Sequence, residues 1–198
     1  ITWTVTFNIV GTAIVTPMTG WLTKRFGQRH LMLFAVFGFA VSSIMCGQAG
    51  TLTELVVYRV LQGAFGGPLV PLSQAIILGV FPRSLHSFAT AIWGMGVVCG
   101  PIIGPTVGGY ISEAYSWRWV FYIIAPFSFL AFLGAWIYIR DTSRDRRIRL
   151  DWTGFISLSI ALTALQLLLD RGNRLDWFES TEILLEITIA FIFFYIIF

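Results

Sequence analysis

Arg59 is the residue of this sequence whose position points most directly to chemistry. It lies in the apolar stretch Glu54-Leu-Val-Val-Tyr-Arg-Val-Leu-Gln-Gly63, and it is the only charge well inside the first five apolar stretches. Placing a guanidinium cation within a membrane span costs about 3 kcal/mol or more, so a functional role is the default hypothesis. Gln62 lies one helical turn further on the same face and could hydrogen-bond a partner. Snorkelling stays open as the alternative, because Glu54 is only about 8 Å of helical rise away.

A polar stripe precedes this arginine in the chain. Its members recur at every fourth position, which places them on one face of a helix: Thr4, Asn8, Thr12 and Thr16. Polar side chains that face lipid are unfavourable, so the stripe faces protein or a water-filled cavity. Two interpretations stay open, namely lining of a cavity and hydrogen bonding between helices.

A third segment combines glycine and proline at helical spacing. Gly96, Gly100, Gly104 and Gly108 recur at every fourth position, and Pro101 and Pro105 lie one turn apart. The glycines would let a neighbouring backbone approach closely. Each proline removes a helical hydrogen bond, which predicts a bent helix that survives in a membrane. Packing alone and a bend that shapes a cavity both stay open as interpretations.

Composition shows which elements must position these residues. The chain has 198 residues, of which 57% are hydrophobic and 12% charged, against about 25% charged in soluble domains. Its mean hydropathy is +0.80. We therefore predict an all-α membrane protein with seven spans of about 20 residues each. They are residues 3–22, 31–49, 54–80, 87–111, 118–139, 153–170 and 181–198.

Loop charge gives the orientation. Nine Lys and Arg residues fall on one side of the predicted spans and three on the other. The side with nine is predicted to be cytoplasmic. Because these charges fall in loops, the net charge of +3 is no signal for nucleic acid. Both chain ends are apolar, so we expect a fragment of a longer protein.

An internal repeat relates two of the connections. Gly20-Trp-Leu-Thr-Lys-Arg-Phe-Gly-Gln-Arg29 aligns with Gly109-Tyr-Ile-Ser-Glu-Ala-Tyr-Ser-Trp-Arg118 through Gly, aromatic, aliphatic, aromatic and Arg positions. The first is predicted to be a cytoplasmic loop and the second an outer one. Related units of opposite orientation are typical of secondary transporters.

Three stretches together resemble the major facilitator superfamily. Gly20 to Arg29 is similar to its loop signature, with Lys24 in place of the usual Asp. Leu55-x-x-x-Arg59-Val-x-Gln-Gly63 resembles the fourth-span signature, and Gly100-x-x-x-Gly104-Pro105-x-x-Gly108-Gly109 the antiporter signature of the fifth. The chain resembles spans two to eight of the EmrB/QacA-like, 14-span drug:proton antiporters. The resemblance divides it into a bundle of residues 1–139 with inverted repeats, a basic cytoplasmic loop of residues 140–152, and two additional spans in residues 153–198.

The resemblance implies a role for each matched segment. Arg59 and Gln62 would belong to the proton-coupling network. Gly100, Pro101, Gly104, Pro105, Gly108 and Gly109 would form the bent helix that limits leak. The cytoplasmic gating loop would comprise Gly20, Lys24, Arg25, Gly27 and Arg29. The interiors of spans one to six contain no acidic residue, since Glu54 and Asp170 lie at span ends. The carboxylate that carries the proton is therefore expected outside this chain or near Asp170.

The resemblance implies a bacterial inner-membrane antiporter that exports amphipathic drugs in exchange for protons, without a cofactor or metal. A periplasmic adaptor and an outer-membrane channel are implied partners. An exporter of a specific metabolite, peptide or siderophore with the same fold is the first alternative. A membrane-embedded enzyme or receptor is a remote one, because His30 and His86 are isolated and no nucleophile or phosphate loop is evident.

Overall fold

The chain is described by a computed structural model that covers residues 2–140, 150–172 and 181–197. All regular elements in these ranges are helices. They are α1 (Thr2–Val15), α2 (Thr19–Phe26), α3 (Gln28–Gln48), α4 (Leu52–Gly66), α5 (Leu69–Val80), α6 (His86–Ala114), α7 (Trp119–Tyr122), α8 (Ile124–Tyr138), α9 (Trp152–Arg171) and α10 (Thr181–Ile197). Two single turns of 3₁₀-helix, Thr16–Met18 and Arg83–Leu85, precede α2 and α6.

The predicted spans coincide with these helices. Six stretches are long and apolar enough to cross a membrane: Thr4–Phe26, Gln28–Gln48, Leu52–Val80, Arg83–Ala114, Trp119–Tyr138 and Trp152–Leu169. The seventh predicted span corresponds to α10, of which 17 residues are described. Exposed side chains along the helices include Phe34, Ile102 and Phe127, as expected for surfaces in contact with lipid. The chain is therefore a multi-pass helical membrane protein.

The third span is two helices rather than one. α4 ends at Gly66 and α5 begins at Leu69, with Gly67 and Pro68 in a turn between them. The amide of Gly67 still donates to the carbonyl of Gly63 at 2.8 Å. Pro68 has no amide hydrogen, so the helical ladder is interrupted at that point.

The connection from Gly20 to His30 is not a loop, which corrects the sequence-based expectation. Residues Gly20 to Phe26 continue α2, and α3 begins at Gln28. Gly27 alone separates the two helices, with φ of 88°. This left-handed value is open to glycine at little cost, so one residue suffices to reverse the chain.

One group of helices contains α1, α3, α4 and α8, and a second group, α9 and α10, contacts the first through α1. α1 lies along α4, and α3 packs on both α4 and α8. α9 contacts α1 and forms a hairpin-like pair with α10. α6 makes fewer contacts, chiefly with α5 and α7. The contacts between α1, α3 and α4 place Arg59 among three helices.

Candidate functional site: an arginine at a cavity wall

Arg59 lies two turns inside α4. The helix begins with Thr51 as its N-cap, whose hydroxyl oxygen accepts the amide of Glu54 at 3.2 Å. Nη1 of Arg59 donates to Oε1 of Gln62 at 3.0 Å. The guanidinium carbon lies 4.6 Å from the ring centroid of Phe121, which is a cation–π distance. The cation is thus held between its own helix and Phe121 of α7.

Gln62 connects this arginine to two other helices. It is only 2% exposed. Its Nε2 donates to Oγ of Ser43 on α3 at 2.8 Å, and Ser43 in turn donates to the carbonyl of Phe39 at 2.7 Å. Nδ2 of Asn8 on α1 donates to Oε1 of Gln62 at 3.4 Å and to the carbonyl of Arg59 at 3.0 Å. Buried polar groups joined in this way hold one another in fixed geometry.

The snorkelling interpretation of Arg59 does not describe this geometry. Glu54 instead accepts the backbone amide of Gly50 at 2.9 Å. Among the described residues, no carboxylate lies within ion-pair distance of Arg59, and its Nε is buried without a hydrogen-bond partner. The guanidinium therefore still has an N–H donor and a positive charge available for a group outside the described residues.

A cavity of about 480 Å³ adjoins the arginine. Arg59, Thr4 and Ser112 contribute polar groups to its wall, and Trp117 and Phe121 contribute aromatic rings. A concave site with apolar walls and few polar groups suits an amphipathic organic molecule. A larger cavity of about 570 Å³ has an almost entirely apolar lining that includes His30, and Arg59 is not part of that lining.

The polar stripe, which lies on α1 and the 3₁₀ turn after it, forms a seam with α4 and its capping residue Gly67. Oγ1 of Thr12 donates to the carbonyl of Gly63 at 3.1 Å, and Oγ1 of Thr16 donates to that of Gly67 at 3.4 Å. Asn8 also hydrogen-bonds across to α4, and Thr4 lines the cavity. Both interpretations of the stripe apply, each to a different part of it.

The glycine–proline segment lies on α6, which runs unbroken for 29 residues through both prolines. Apart from the chain neighbours and the nearby backbone of α6, no atom of the described residues lies within 4 Å of a Cβ added at Gly100, Gly104 or Gly109. A Cβ at Gly108 would approach only Val120, at 3.8 Å. Pro101 and Pro105 are exposed as well. Close packing against this face remains a prediction.

The five residues of the predicted gating segment divide between two helices and the turn. Lys24 and Arg25 occupy the last turn of α2, where cations are favourable, and the guanidinium of Arg25 lies 5.0 Å from the Trp21 ring. Gly20 is exposed on α2, and Gly27 forms the turn. Nη2 of Arg29 reaches further and donates to the carbonyl of Trp136 on α8 at 2.9 Å.

Sequence reasoning missed two participants in this site. Ser43 and Phe121 give no sign of their role, since a serine or phenylalanine in an apolar span is ordinary. Sequence reasoning also did not single out Glu186 on α10, which lies apart from the residues named above and is only 9% exposed. An acidic residue inside the seventh predicted span was a signal that could have identified it.

Most of the basic loop, residues 141–149, lies outside the described residues, and so does the chain from 173 to 180. Among the described residues no group of His, Cys, Asp and Glu could hold a metal ion.

Comparisons with known proteins extend these observations. The chain is 42% identical over 190 residues to the multidrug export protein EmrB of Escherichia coli K12, covering 96% of this chain and 37% of that protein. It is 40% identical over 185 residues to the fatty acid resistance protein FarB of Neisseria gonorrhoeae, covering 92% and 36%. The chain thus spans little more than a third of the length of these relatives.

The fold is also found in a solved structure. The human organic anion transporter MFSD10 superposes with a TM-score of 0.64 at 17% identity, covering 98% of this chain and 53% of that one. The family model of the Major Facilitator Superfamily matches residues 1–198. On the strength of this match, the chain belongs to the Major Facilitator Superfamily.

Proposed function

We propose that the chain is part of a longer proton-coupled antiporter that exports amphipathic organic compounds across the bacterial inner membrane by alternating access. The observation that carries the proposal is the guanidinium of Arg59 at the wall of a partly aromatic cavity. Similarity to a protein named for multidrug export supports the same class of substrate. The activity needs no cofactor.

The network around Arg59 suggests how the charge would be used. Gln62, Asn8 and Ser43 fix the arginine without neutralising it. A carboxylate that loses its proton would be attracted to this cation, and a protonated one would be released. Exchange between such a carboxylate and a substrate would couple proton entry to export. Glu186 is a buried acid within a helix of this chain, and further candidates lie outside the described residues.

The test is efflux of ethidium from cells that express the full-length protein containing this chain, with and without a proton uncoupler. We expect efflux that the uncoupler abolishes. Arg59→Ala should reduce efflux about tenfold or more, since each 1.4 kcal/mol of lost stabilisation is a factor of ten. Arg59→Lys should recover part of it, because the charge remains while the planar donor geometry is lost.

Arg83→Ala is the matched control, because Arg83 is an exposed cation of the 3₁₀ turn before α6. Membrane levels of all variants would be compared by immunoblotting. Wild-type efflux by a well-expressed Arg59→Ala variant would contradict the role of this arginine. Efflux that is insensitive to the uncoupler would contradict proton coupling.

Export of a specific compound of the same physical class is the second candidate. Similarity to a fatty acid resistance protein favours amphipathic anions, for which Arg59 would supply the opposite charge. Efflux of a labelled long-chain fatty acid without efflux of ethidium would select this candidate. The reverse result, or competition between the two compounds, would favour broad drug export.

A periplasmic adaptor and an outer-membrane channel would complete the export route in a bacterium with two membranes. Such partners are suggested by the family resemblance. Affinity purification of the tagged full-length protein after mild cross-linking, followed by mass spectrometry, is the test. Recovery of the protein alone under conditions that retain a known tripartite pump would count against them.

A further inference from the structure

Two arginines that the internal repeat aligns make the same kind of contact, each with a backbone carbonyl at the end of another helix. Arg29 is the second residue of α3, and its Nη2 donates to the backbone carbonyl of Trp136 at 2.9 Å. Trp136 lies in the last turn of α8. Arg118 directly precedes α7, and its Nη2 donates to the backbone carbonyl of Ala49 at 3.1 Å. Ala49 is the residue that caps the C-terminus of α3.

These contacts are reciprocal. α3 and α8 pack along each other, and the two contacts show that they run in opposite directions. The arginine at the start of α3 contacts the end of α8. The arginine at the start of the α7–α8 segment contacts the end of α3. One contact therefore lies at each face of the membrane.

The chemistry of helix ends explains why arginine suits both positions. The last carbonyls of a helix have no partner within it, and they carry the negative end of the helix dipole. A guanidinium supplies both a donor and a positive charge, on a side chain long enough to cross to a neighbouring helix. Arg118 is held in place by Trp117, whose ring centroid is 4.6 Å from the guanidinium carbon. Arg25, by contrast, stacks on Trp21 of its own helix.

We propose that Arg29 and Arg118 are positioning residues that form a reciprocal clamp, which holds α3 and α8 together at both membrane faces throughout the transport cycle. A gate must open at one face when the transporter changes state, whereas a clamp stays closed at both. The proposal thus separates Arg29 from the gating role that the resemblance implies for its segment. It concerns the distance between two helices and does not depend on which substrate is exported.

The primary test measures that distance by electron spin resonance in the purified full-length protein. Cys46 and Cys99 are the cysteines of the chain and would first be replaced by Ala, with any others in the full-length protein. Spin labels at His30 and Tyr138 report the inner face, and labels at Gln48 and Ile123 report the outer face. All four residues are exposed. We expect one narrow distance at each face, unchanged between high and low pH.

Each clamp variant should then act on one face only. Arg29→Ala should broaden the distribution of inner-face distances and leave the outer-face distribution narrow. Arg118→Ala should do the reverse. The Arg→Lys variants should keep a narrow distance, because a cation and a donor remain. Arg25→Ala should change neither distance. Narrow distance distributions in both Arg→Ala variants would overturn the proposal. An inner-face distance that shifts with pH in the protein that retains both arginines would also overturn it.

Cross-linking separates a clamp from a gate by a functional readout. We expect Arg29→Ala to lower transport, because the inner ends of α3 and α8 would no longer be held together. A bifunctional thiol reagent that joins Cys residues at positions 30 and 138 should restore that transport. A gate joined in the same way would instead stop transport in the protein that retains Arg29. That inhibition, or a failure of the cross-link to restore transport, would contradict the clamp. If the parent transports neither ethidium nor fatty acid, the distance measurements still decide the proposal independently of the proposed function.

Discussion

The seam between α1 and α4 and the glycine face of α6 both place glycines on a helix surface, yet the structure uses these glycines differently. At the seam, Gly63 lets the backbone carbonyl of Asn8 approach so closely that a Cβ at that position would collide with it. On α6, Gly100 and Gly104 face open space as far as the described residues extend. Regularly spaced glycines thus allow a neighbouring helix to approach closely, but a contact forms only where such a helix is present.

The seam also shows what a completed contact adds. Asn8 and Thr12 donate across it to groups of α4, and Thr16 donates to the carbonyl of Gly67, the residue that caps α4. The polar stripe is therefore satisfied by the helix that the glycines allow to approach. α6 has no such stripe of cross-helix donors in this part of the chain. If the close-packing hypothesis for α6 holds, its partner is a segment outside the residues that the structure describes.

Substitution of Gly63 should have the largest effect on the folded state. In Gly63→Ala, the new Cβ meets backbone atoms of α1, which cannot rotate away as a side chain could. We expect a loss of about 3 kcal/mol or more in the free energy of unfolding, at the upper end for overpacked sites. Reversible denaturation of the purified full-length protein in detergent micelles measures it.

Gly104→Ala is the control for Gly63→Ala, because a Cβ there meets nothing among the described residues. The contrast between the two alanines is the direct test of the comparison. Equal stability of the two variants would show that the seam is looser than its geometry indicates.

Substitution of Gly104 by a larger residue should affect transport more than folding. Gly104→Leu would keep a partner helix from approaching α6 and should lower transport about tenfold, equivalent to 1.4 kcal/mol in the limiting barrier. Membrane levels should stay normal, since the side chain has room in the part of the chain described. Leu at Gly79 is the control, because Gly79 is also open but lies on α5 outside the glycine pattern. Unchanged transport by Gly104→Leu would remove the close-packing hypothesis for α6.

Particular residues show how far the sequence predicted this molecule. The apolar runs were sufficient to place six spans, because the length that a bilayer requires leaves little freedom. The spacing of four residues between Asn8, Thr12 and Thr16 was sufficient to predict that they share one helix face. It did not predict which helix packs against that face. The neighbour depends on tertiary packing, which periodicity does not contain. The one-residue turn at Gly27 was missed for a related reason, since charged residues such as Lys24 suit a helix end as well as a loop.

The candidate site was predicted only in part. Arg59 and Gln62 are identifiable, because a charge and an amide one turn apart in an apolar run are conspicuous. Ser43 and Phe121 come from other helices, and their side chains are common in spans. The aligned repeat of Arg29 and Arg118 was visible in the sequence, but the carbonyls that they contact were not.

Removal of the hydrogen bond between Gln62 and Ser43 should have the smallest effect, and it measures how much the polar seam contributes. Gln62 donates to Ser43 across α3 and α4 at 2.8 Å. In a double-mutant cycle of Gln62→Leu and Ser43→Ala, we expect a coupling of about 0.6 kcal/mol and at most about 1.7 kcal/mol, the values of interhelical hydrogen bonds in membranes. Ser42→Ala provides the matched control, because Ser42 is also buried but donates only to carbonyls of its own helix, those of Gly38 and Phe39. Its coupling to Gln62 should be near zero. A coupling for Ser42 as large as that for Ser43 would mean that Gln62 acts through general packing rather than through this bond. In that case the packing of side chains around Gln62, and not its hydrogen bond to Ser43, would hold Arg59 in position.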